Sequence, residues 1–202
     1  MISAKQIRQQ IRTLRSSLSL SESQQAAHRM AKRAAILDIF THARHIAGYI
    51  AVNLEMDPAP LLTLALARGK SVYLPVLQSK QEPMVFAPYR PGAAVLKPNR
   101  FGIPEPDVPS EQMLPPQSLD LVLTPLVAFD SSGSRLGMGG GFYDRTFAFA
   151  HGHKSKKRPY LLGLGYEIQK VSKLISEPWD IALDGIVTEA AFYCANKDYA
   201  NK

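Results

Sequence analysis

Between Asp130 and Arg145 the chain reads DSSGSRLGMGGGFYDR, with glycine at 137, 139, 140 and 141 and arginine at 135 and 145. Glycine accepts positive φ and lets another molecule approach the main chain closely, at a penalty of about 0.5–1 kcal/mol against alanine inside regular structure. A run of glycines between a strand and a helix aims successive backbone N–H groups at one point, where the positive end of the helix dipole adds to them. Such a point draws phosphate. Arg135 and Arg145 can neutralise further charge through forked hydrogen bonds, and Asp144 has the hard oxygens that suit the magnesium of a nucleotide. A tight turn with surface charges is the plain alternative. The stretch is not a Walker loop, which needs Gly-Lys followed by Ser or Thr, whereas Gly141 here precedes Phe142 and Tyr143. Nor is it the dinucleotide fingerprint, which, counted from Gly137 and Gly139, requires glycine where this chain has Phe142.

These residues need elements to hold them. Ile7, Ile11, Leu14 and Leu18 recur at three- and four-residue steps, which predicts an amphipathic first helix with Arg8, Arg12 and Arg15 on its other face. Ser19 and Glu22 stand at capping-box spacing and predict a second helix running through ESQQAAHRMAKRAAILDIF. HIAGYIAV, from His45, reads as the first strand; Asp57 and Pro58 then open a helix expected to end near Gly69. SVYLPVL and MVFAPY supply two further strands, and the order strand, helix, strand argues for a right-handed parallel crossover. Prolines and glycines crowd residues 88–116, so NRFGIPEPD is expected as an extended surface loop. LDLVLTPLVAF is almost wholly apolar, as buried parallel strands are, and the glycine run is expected directly after it. A helix from about Phe142 and strands at YLLGLGY and DGIVTE complete the pattern. The expected architecture is α/β: three layers, α/β/α, around a mostly parallel, Rossmann-like sheet whose ligands gather outside the carboxyl ends of the strands.

The 202 residues suffice for one domain, 1–202, with a substantial core. The composition, 46% hydrophobic and 20% charged, is that of a globular protein, and no apolar run nears the ~20 residues that span a membrane. MISAKQIRQQIRTLR lacks the apolar stretch of a secretory signal, so a cytoplasmic protein without a membrane partner is expected. Cys194 is the only cysteine, which excludes an internal disulfide and a multi-cysteine metal site. His151 and His153, without further ligands, read as loop polarity, and Trp179 reads as a packing residue. The formal charge of +7 favours anionic partners in general: nucleic acid, phosphates or a polyanionic small molecule. Part of that excess lies in HGHKSKKR, residues 151–158, read as a solvated loop. A nucleic-acid-binding module would want a basic face interleaved with stacking aromatics, which the chain does not offer, so no nucleic acid is expected as a partner. A monomer is expected.

Taken in order, TPLVAFDSSGSRLGMGGGFYDR resembles the signature of the 5-formyltetrahydrofolate cyclo-ligases, also called methenyltetrahydrofolate synthetases: a strand, Ala-Phe-Asp, Gly-x-Arg-Leu-Gly, glycines and Tyr-Asp. AKQIRQQIR resembles that family's basic N-terminal helix, and YIAVNLEMD its strand with a following glutamate. NRFGIPEP resembles its middle loop, and EPWDIALDGIVT its C-terminal aspartate segment, so the resemblance runs from Lys5 to Thr188. It implies a ligase that uses Mg²⁺ and ATP to cyclise 5-formyltetrahydrofolate to 5,10-methenyltetrahydrofolate, releasing ADP and phosphate. A formamide oxygen leaves poorly; its phosphorylation creates an iminium phosphate that the folate nitrogen N10 can attack. Positioning and charge stabilisation carry most such phosphoryl transfers, which suits a site of amides and arginines.

The resemblance also implies roles. Lys5 and Arg8 would reach the ATP phosphates, and Arg135, Leu136, Gly137, Met138, Gly139, Gly140, Gly141, Phe142 and Tyr143 would wrap the nucleotide. Ile50 and Glu55 would bind the folate together with Met138, Gly139, Gly140, Gly141 and Phe142, the Glu55 carboxylate accepting from the pterin N–H groups. Asp144 and Asp180 would hold magnesium, with Asp184 a competitor and Asp130 a brace for the loop. Arg135, Tyr143 and Arg145 would be catalytic. Taken alone, Lys5 and Arg8 read as a solvated face, Glu55 as a helix N-terminal charge and Tyr143 as a packed aromatic; Arg12 and Arg15 keep the solvated reading. Some relatives carry lysine within the glycine run and tyrosine at position 142, so this chain shifts the electrostatic burden toward Arg135, Arg145 and magnesium. The excess positive charge is compatible with a polyglutamate tail on the folate. A phosphosugar isomerase or acyl-CoA transferase on a related scaffold, the competing enzyme reading, would need a catalytic acid in place of ATP.

Overall fold

A computed structural model describes residues 3–79, 81–150 and 158–195. The basic run 151–157, with His151 and His153, lies outside the described residues. Helices α1 (Ala4–Ser16), α2 (Leu20–Ala34) and α3 (Asp38–His42) precede β1 (His45–Ala47). Then come α4 (Ala59–Ala67), β2 (Ser71–Val76) and β3 (Val85–Pro88), followed by the small hairpin of β4 (Leu96–Pro98) and β5 (Pro104–Pro106). The central strand β6 (Leu121–Pro125) leads into a second hairpin, β7 (Ala128–Phe129) and β8 (Arg135–Leu136), and then α5 (Phe142–Phe147). β9 (Tyr160–Leu164), β10 (Gly185–Val187) and β11 (Phe192–Cys194) complete the order.

Seven strands form one sheet in the order β11-β10-β9-β6-β1-β2-β3, the expected mostly parallel arrangement. Neighbours from β10 to β2 pair in parallel, and only the edge strands β11 and β3 are antiparallel. β6 is buried through its first four residues, which explains its unbroken apolar sequence. One face of the sheet packs on α2, α3 and α4 through Ala27, Met30, Ala34, Phe40, Leu61 and Leu62. Each large side chain buried there contributes about 1.5–3 kcal/mol relative to exposure. The opposite face gathers Phe86, Leu119, Phe129, Phe147, Leu161 and Ile186.

Three local expectations change. The second helix stops at Ala34 instead of running to Phe40, because the chain turns at residues 35–37 and restarts as α3, which leaves Ile36 exposed while Phe40 is fully buried. The first strand is shorter than HIAGYIAV: ladder bonding ends with Gly48 N–H donating to Tyr73 O at 2.9 Å, so Ile50 lies beyond the strand. The glycine run does not follow the long apolar strand directly, since the β7–β8 hairpin stands between them.

The first helix corrects a further reading. Ser3 and Gln6 form its capping box. Its buried residues are Ile11 and Arg15, while Leu14 is 44% exposed. Against the side expected from Ile7, Ile11, Leu14 and Leu18, the inward side is rotated toward Arg8 and Arg15, by roughly half a residue step of 100°. The helix docks beside β7 through Ile11, Val127 and Ala128, with Ile7, Leu136 and Val171 around them. That contact settles which side faces in.

Candidate active site

One cavity of about 1170 Å³ opens above the carboxyl ends of the strands, lined by Arg8, Tyr49, Ile50, Glu55, Leu77, Met84, residues 101–105, residues 135–145 and residues 174–180 in part. Glu55 sits at the end formed by the loops after β1, β2 and β3. Asn53 and Leu54, immediately before it, both take left-handed backbone at φ 51° and 59°. Consecutive non-glycine residues in that region are uncommon and costly, and they occur where surrounding structure imposes them. The turn closes through Val52 N–H donating to Glu55 Oε2 at 3.1 Å and Glu55 N–H donating to Val52 O at 3.0 Å. Tyr49 Oη donates to Met56 O at 2.5 Å and fixes the far side of the turn. Burial pushes the Glu55 carboxyl above its ordinary value of 4.5, and the Val52 hydrogen bond and the Arg15 charge oppose that rise. The result is a half-buried acceptor held in one orientation.

Arg15 is no solvated residue: it is 3% exposed, and its Nε and Nη1 have no hydrogen-bond partner among the described residues. Burial lowers its pKa, and Glu55 and Tyr166 resist that shift. It acts on Glu55 as a charge behind the wall.

Beyond Glu55 the loop 99–105 forms the cavity's outer wall. Asn99 Nδ2 donates to Glu105 Oε1 at 2.7 Å, and Leu77 N–H donates to the same oxygen at 3.1 Å, so the loop is tied to the end of β2. Phe101 meets Phe142 edge-on at 5.8 Å, with the Arg100 guanidinium 5.2 Å over one ring and 5.7 Å over the other. Tyr143 lines the same space and stacks on Phe147 at 6.2 Å; burial, with a smaller contribution from Glu55, pushes its hydroxyl well above the ordinary value of 10.0. It remains a protonated hydroxyl and is both a packed aromatic and a wall residue.

The glycine loop forms the other half. Gly139 and Gly141 have φ of 98° and 64°, conformations that L side chains rarely adopt. A Cβ on Gly141 would also come within 2.7 Å of Arg145 Nη1. Arg8 Nε donates to Gly137 O at 2.9 Å, and Arg145 Nη2 donates to Gly140 O at 2.8 Å while its guanidinium lies 4.9 Å over the Phe142 ring. The loop's carbonyls are thus clamped by two cations. α5 has only six residues, so its dipole is slight and positive charge here comes from the arginines. Lys5 is exposed on α1 and does not line the cavity, whereas Arg8 does.

Arg135 is nearly buried, its side chain 6% exposed. Its Nη1 donates to Ile181 O, and its Nη2 donates to Asp144 Oδ1 at 2.6 Å, an oxygen that also accepts from Ile181 N–H at 3.1 Å. Arg135 thereby welds β8, α5 and the segment after β9 into one piece. Asp180 lines the cavity and accepts from Glu177 N–H at 2.8 Å. Asp184 is withdrawn from the site: it is 2% exposed, pairs with Arg158 and accepts from Leu161 N–H at 2.9 Å. Asp130 braces the β7–β8 turn by accepting from the N–H groups of Ser132 and Ser134, and Leu174 N–H donates to its other oxygen at 2.8 Å. Burial would raise its pKa; these bonds, with that from the Ser132 hydroxyl, hold it below the ordinary value. Leu136 and Met138 complete the loop's lining, Met138 half-exposed.

Sequence reasoning missed Tyr49, Met84, Phe101 and Trp179 as wall residues. Trp179 is 66% exposed, so it is not a packing residue. The one available signal was an aromatic amid the prolines of NRFGIPEP.

This site defines an α/β enzyme whose half-buried acceptor and cation-clamped glycine loop share one cavity. The chain matches the 5-formyltetrahydrofolate cyclo-ligase family over residues 1–189 and belongs to it; it is a ligase of that class. The 5-formyltetrahydrofolate cyclo-ligase of Haemophilus influenzae is 38% identical over 183 residues, which cover 90% of this chain and 95% of that one. The Escherichia coli enzyme of the same name is 38% identical over 179 residues, covering 88% and 96%. The NMR structure of Aquifex aeolicus 5,10-methenyltetrahydrofolate synthetase superposes with a TM-score of 0.80 at 26% identity, covering 95% of this chain and 92% of its own.

Proposed function

We propose that this chain cyclises 5-formyltetrahydrofolate to 5,10-methenyltetrahydrofolate at the expense of ATP, with both substrates in the one cavity. The observation that carries the reading is the continuity of a space of about 1170 Å³ from Glu55 to the glycine loop. It exceeds the roughly 300–1,000 Å³ usual for a single small ligand, and family membership implies folate and ATP as the pair.

At one end the Glu55 carboxylate accepts hydrogen bonds from the pterin N–H groups, with Ile50 as apolar wall. At the other, Arg8, Arg145 and the N–H groups of residues 137–141 receive the phosphates, with Lys5 adding its charge from the exposed face of α1. The formyl oxygen attacks the γ-phosphorus and ADP departs, leaving an iminium phosphate; N10 attacks the formyl carbon, phosphate leaves and the N10 proton is lost. Tyr143, a neutral donor between the two ends, orients the formyl oxygen or a phosphate. Arg135 acts chiefly by holding Asp144 and the 171–181 segment in place.

For magnesium the donor set fits modestly. Among the described residues no cluster of three or more ligating side chains occurs. Asp144 and Asp180 nevertheless both line the cavity, and a cation that keeps its waters needs only one or two carboxylates besides phosphate. When bound, Mg²⁺ would offset charge on the transferring phosphoryl group.

The deciding assay mixes protein, MgATP and 5-formyltetrahydrofolate and follows the methenyl chromophore by absorbance. ATP-dependent growth of the band is expected; its absence with folded protein refutes the reading.

A further inference from the structure

The segment after β9 raises a question that phosphate and pterin binding leave unanswered. Residues 171–181 have almost no regular structure, yet their backbone is held at short intervals. Val171 N–H donates to Phe129 O at 2.8 Å, Leu174 N–H to Asp130, Asp180 N–H to Glu177 O at 3.0 Å, and Ile181 is gripped by both Arg135 and Asp144. On this fixed frame two large apolar side chains point outward and line the cavity, Ile175 at 72% and Trp179 at 66% exposure. Exposed apolar surface is unfavourable by roughly 25 cal/mol per Å², so a ligand that covers the indole is rewarded.

Two flat heteroaromatic systems must enter the cavity, a pterin and a purine. The pterin carries N–H donors and is drawn to the half-buried acceptor Glu55, in the loop after β1 beside those after β2 and β3. Residues 171–181 follow β9, on the other side of β6 in the strand order. The phosphate loop, after β8, has Arg135 bonded to this segment. A phosphate chain seated on that loop with its terminal phosphorus toward the pterin therefore sends its nucleoside toward Trp179.

We propose that Trp179, flanked by Ile175, is the platform on which the purine of the nucleotide stacks. This rests on the reading of the cavity as an ATP site. Stacking on an aromatic face tolerates any purine, so the platform should accept GTP as readily as ATP in affinity, with selectivity, if any, arising elsewhere.

Trp179 is the chain's sole tryptophan, so intrinsic emission reports this residue alone. Wild type, W179F and W179A would be titrated with MgATP and with magnesium tripolyphosphate, which has the phosphates but no base. Binding would be measured by calorimetry and, for wild type, by tryptophan fluorescence. MgATP is expected to quench the emission and tripolyphosphate to bind without quenching. In W179A the Kd for MgATP should rise about 10-fold or more, with tripolyphosphate affinity unchanged, and W179F should keep most of the affinity. Wild-type MgATP affinity in W179A, or MgATP binding without change in emission, overturns the proposal while leaving the ATP reading intact. So does a W179A variant whose KM rises for the folate alone. Failure of wild-type protein to bind MgATP at all removes both.

Discussion

At the Glu55 end of the cavity a carboxylate is pre-set by strain: two left-handed residues and a closed turn hold it in one orientation. At the glycine end the lining is backbone amides and arginines, and Gly139 and Gly140 are exposed. The first end is costly in the free protein and rigid; the second is inexpensive and open. A pterin edge presents donors at fixed spacing, so an acceptor must be oriented in advance, whereas a phosphate chain is recognised mostly through charge. Arg8 and Arg15 show the same division on a single helix. Arg8 spends its guanidinium on the loop carbonyl of Gly137, and Arg15 is walled in behind Glu55 with two nitrogens that have no partner among the described residues.

The contrast can be broken most sharply at the weld that holds the glycine end together. Arg135→Ala should lower kcat/KM by about 100-fold or more, in line with the displacement of the glycine loop and the 171–181 segment that it positions. It should also lower stability by about 3 kcal/mol, because Asp144 is left partly buried without its cation. Thermal unfolding beside steady-state kinetics tests both, and unchanged turnover would refute Arg135's role. Next, Glu55→Gln should cost roughly 10- to 100-fold in kcat/KM for the folate, through charge-assisted hydrogen bonds worth about 1.5–3 kcal/mol together. The KM for ATP should stay within about 2-fold, and a parallel loss for both substrates would erase the distinction between the ends.

Acidification should separate binding from stability. Glu55 has a raised pKa in the folded chain, so keeping it ionised costs stability at neutral pH. That cost is relieved as pH falls through the folded value toward 4.5, while pterin binding, which uses the ionised form, weakens over the same range. The KM for folate should therefore rise on the acid side from above pH 4.5, and Glu55→Gln should abolish that limb. Gly141→Ala forces a side chain into left-handed backbone and against Arg145, costing about 1–2 kcal/mol and weakening nucleotide binding more than folate binding. The smallest effect is expected from Arg15→Met. Replacing a buried cation whose Nε and Nη1 make no hydrogen bond among the described residues by an apolar chain of similar volume should leave stability level or raised. Loss of its charge should move the acid limb of the folate KM upward in pH, and an unmoved limb would show that Arg15 does not act on Glu55.

Much of the site was legible because its signals are local. Ser19 with Glu22 caps its helix within four residues. The apolar run of β6 announces burial on both faces, and glycines at positive φ leave their own mark. What escaped is what depends on partners far along the chain. Trp179 and Phe101 look like any large apolar residue until the cavity forms beside them. Arg15 looks solvated until α1 meets β7 and turns an arginine inward.

Residue order alone therefore determined most of the elements, the family and the position of the glycine loop, since periodicity, capping and turn preference act over a few bonds. Tertiary structure alone decided which side of α1 is buried, that Arg135 is spent on Asp144 and Ile181, and that Trp179 stands at the mouth of the cavity. Those outcomes follow from burial and ion pairing between segments distant in sequence, and such energies exist only once the segments have met.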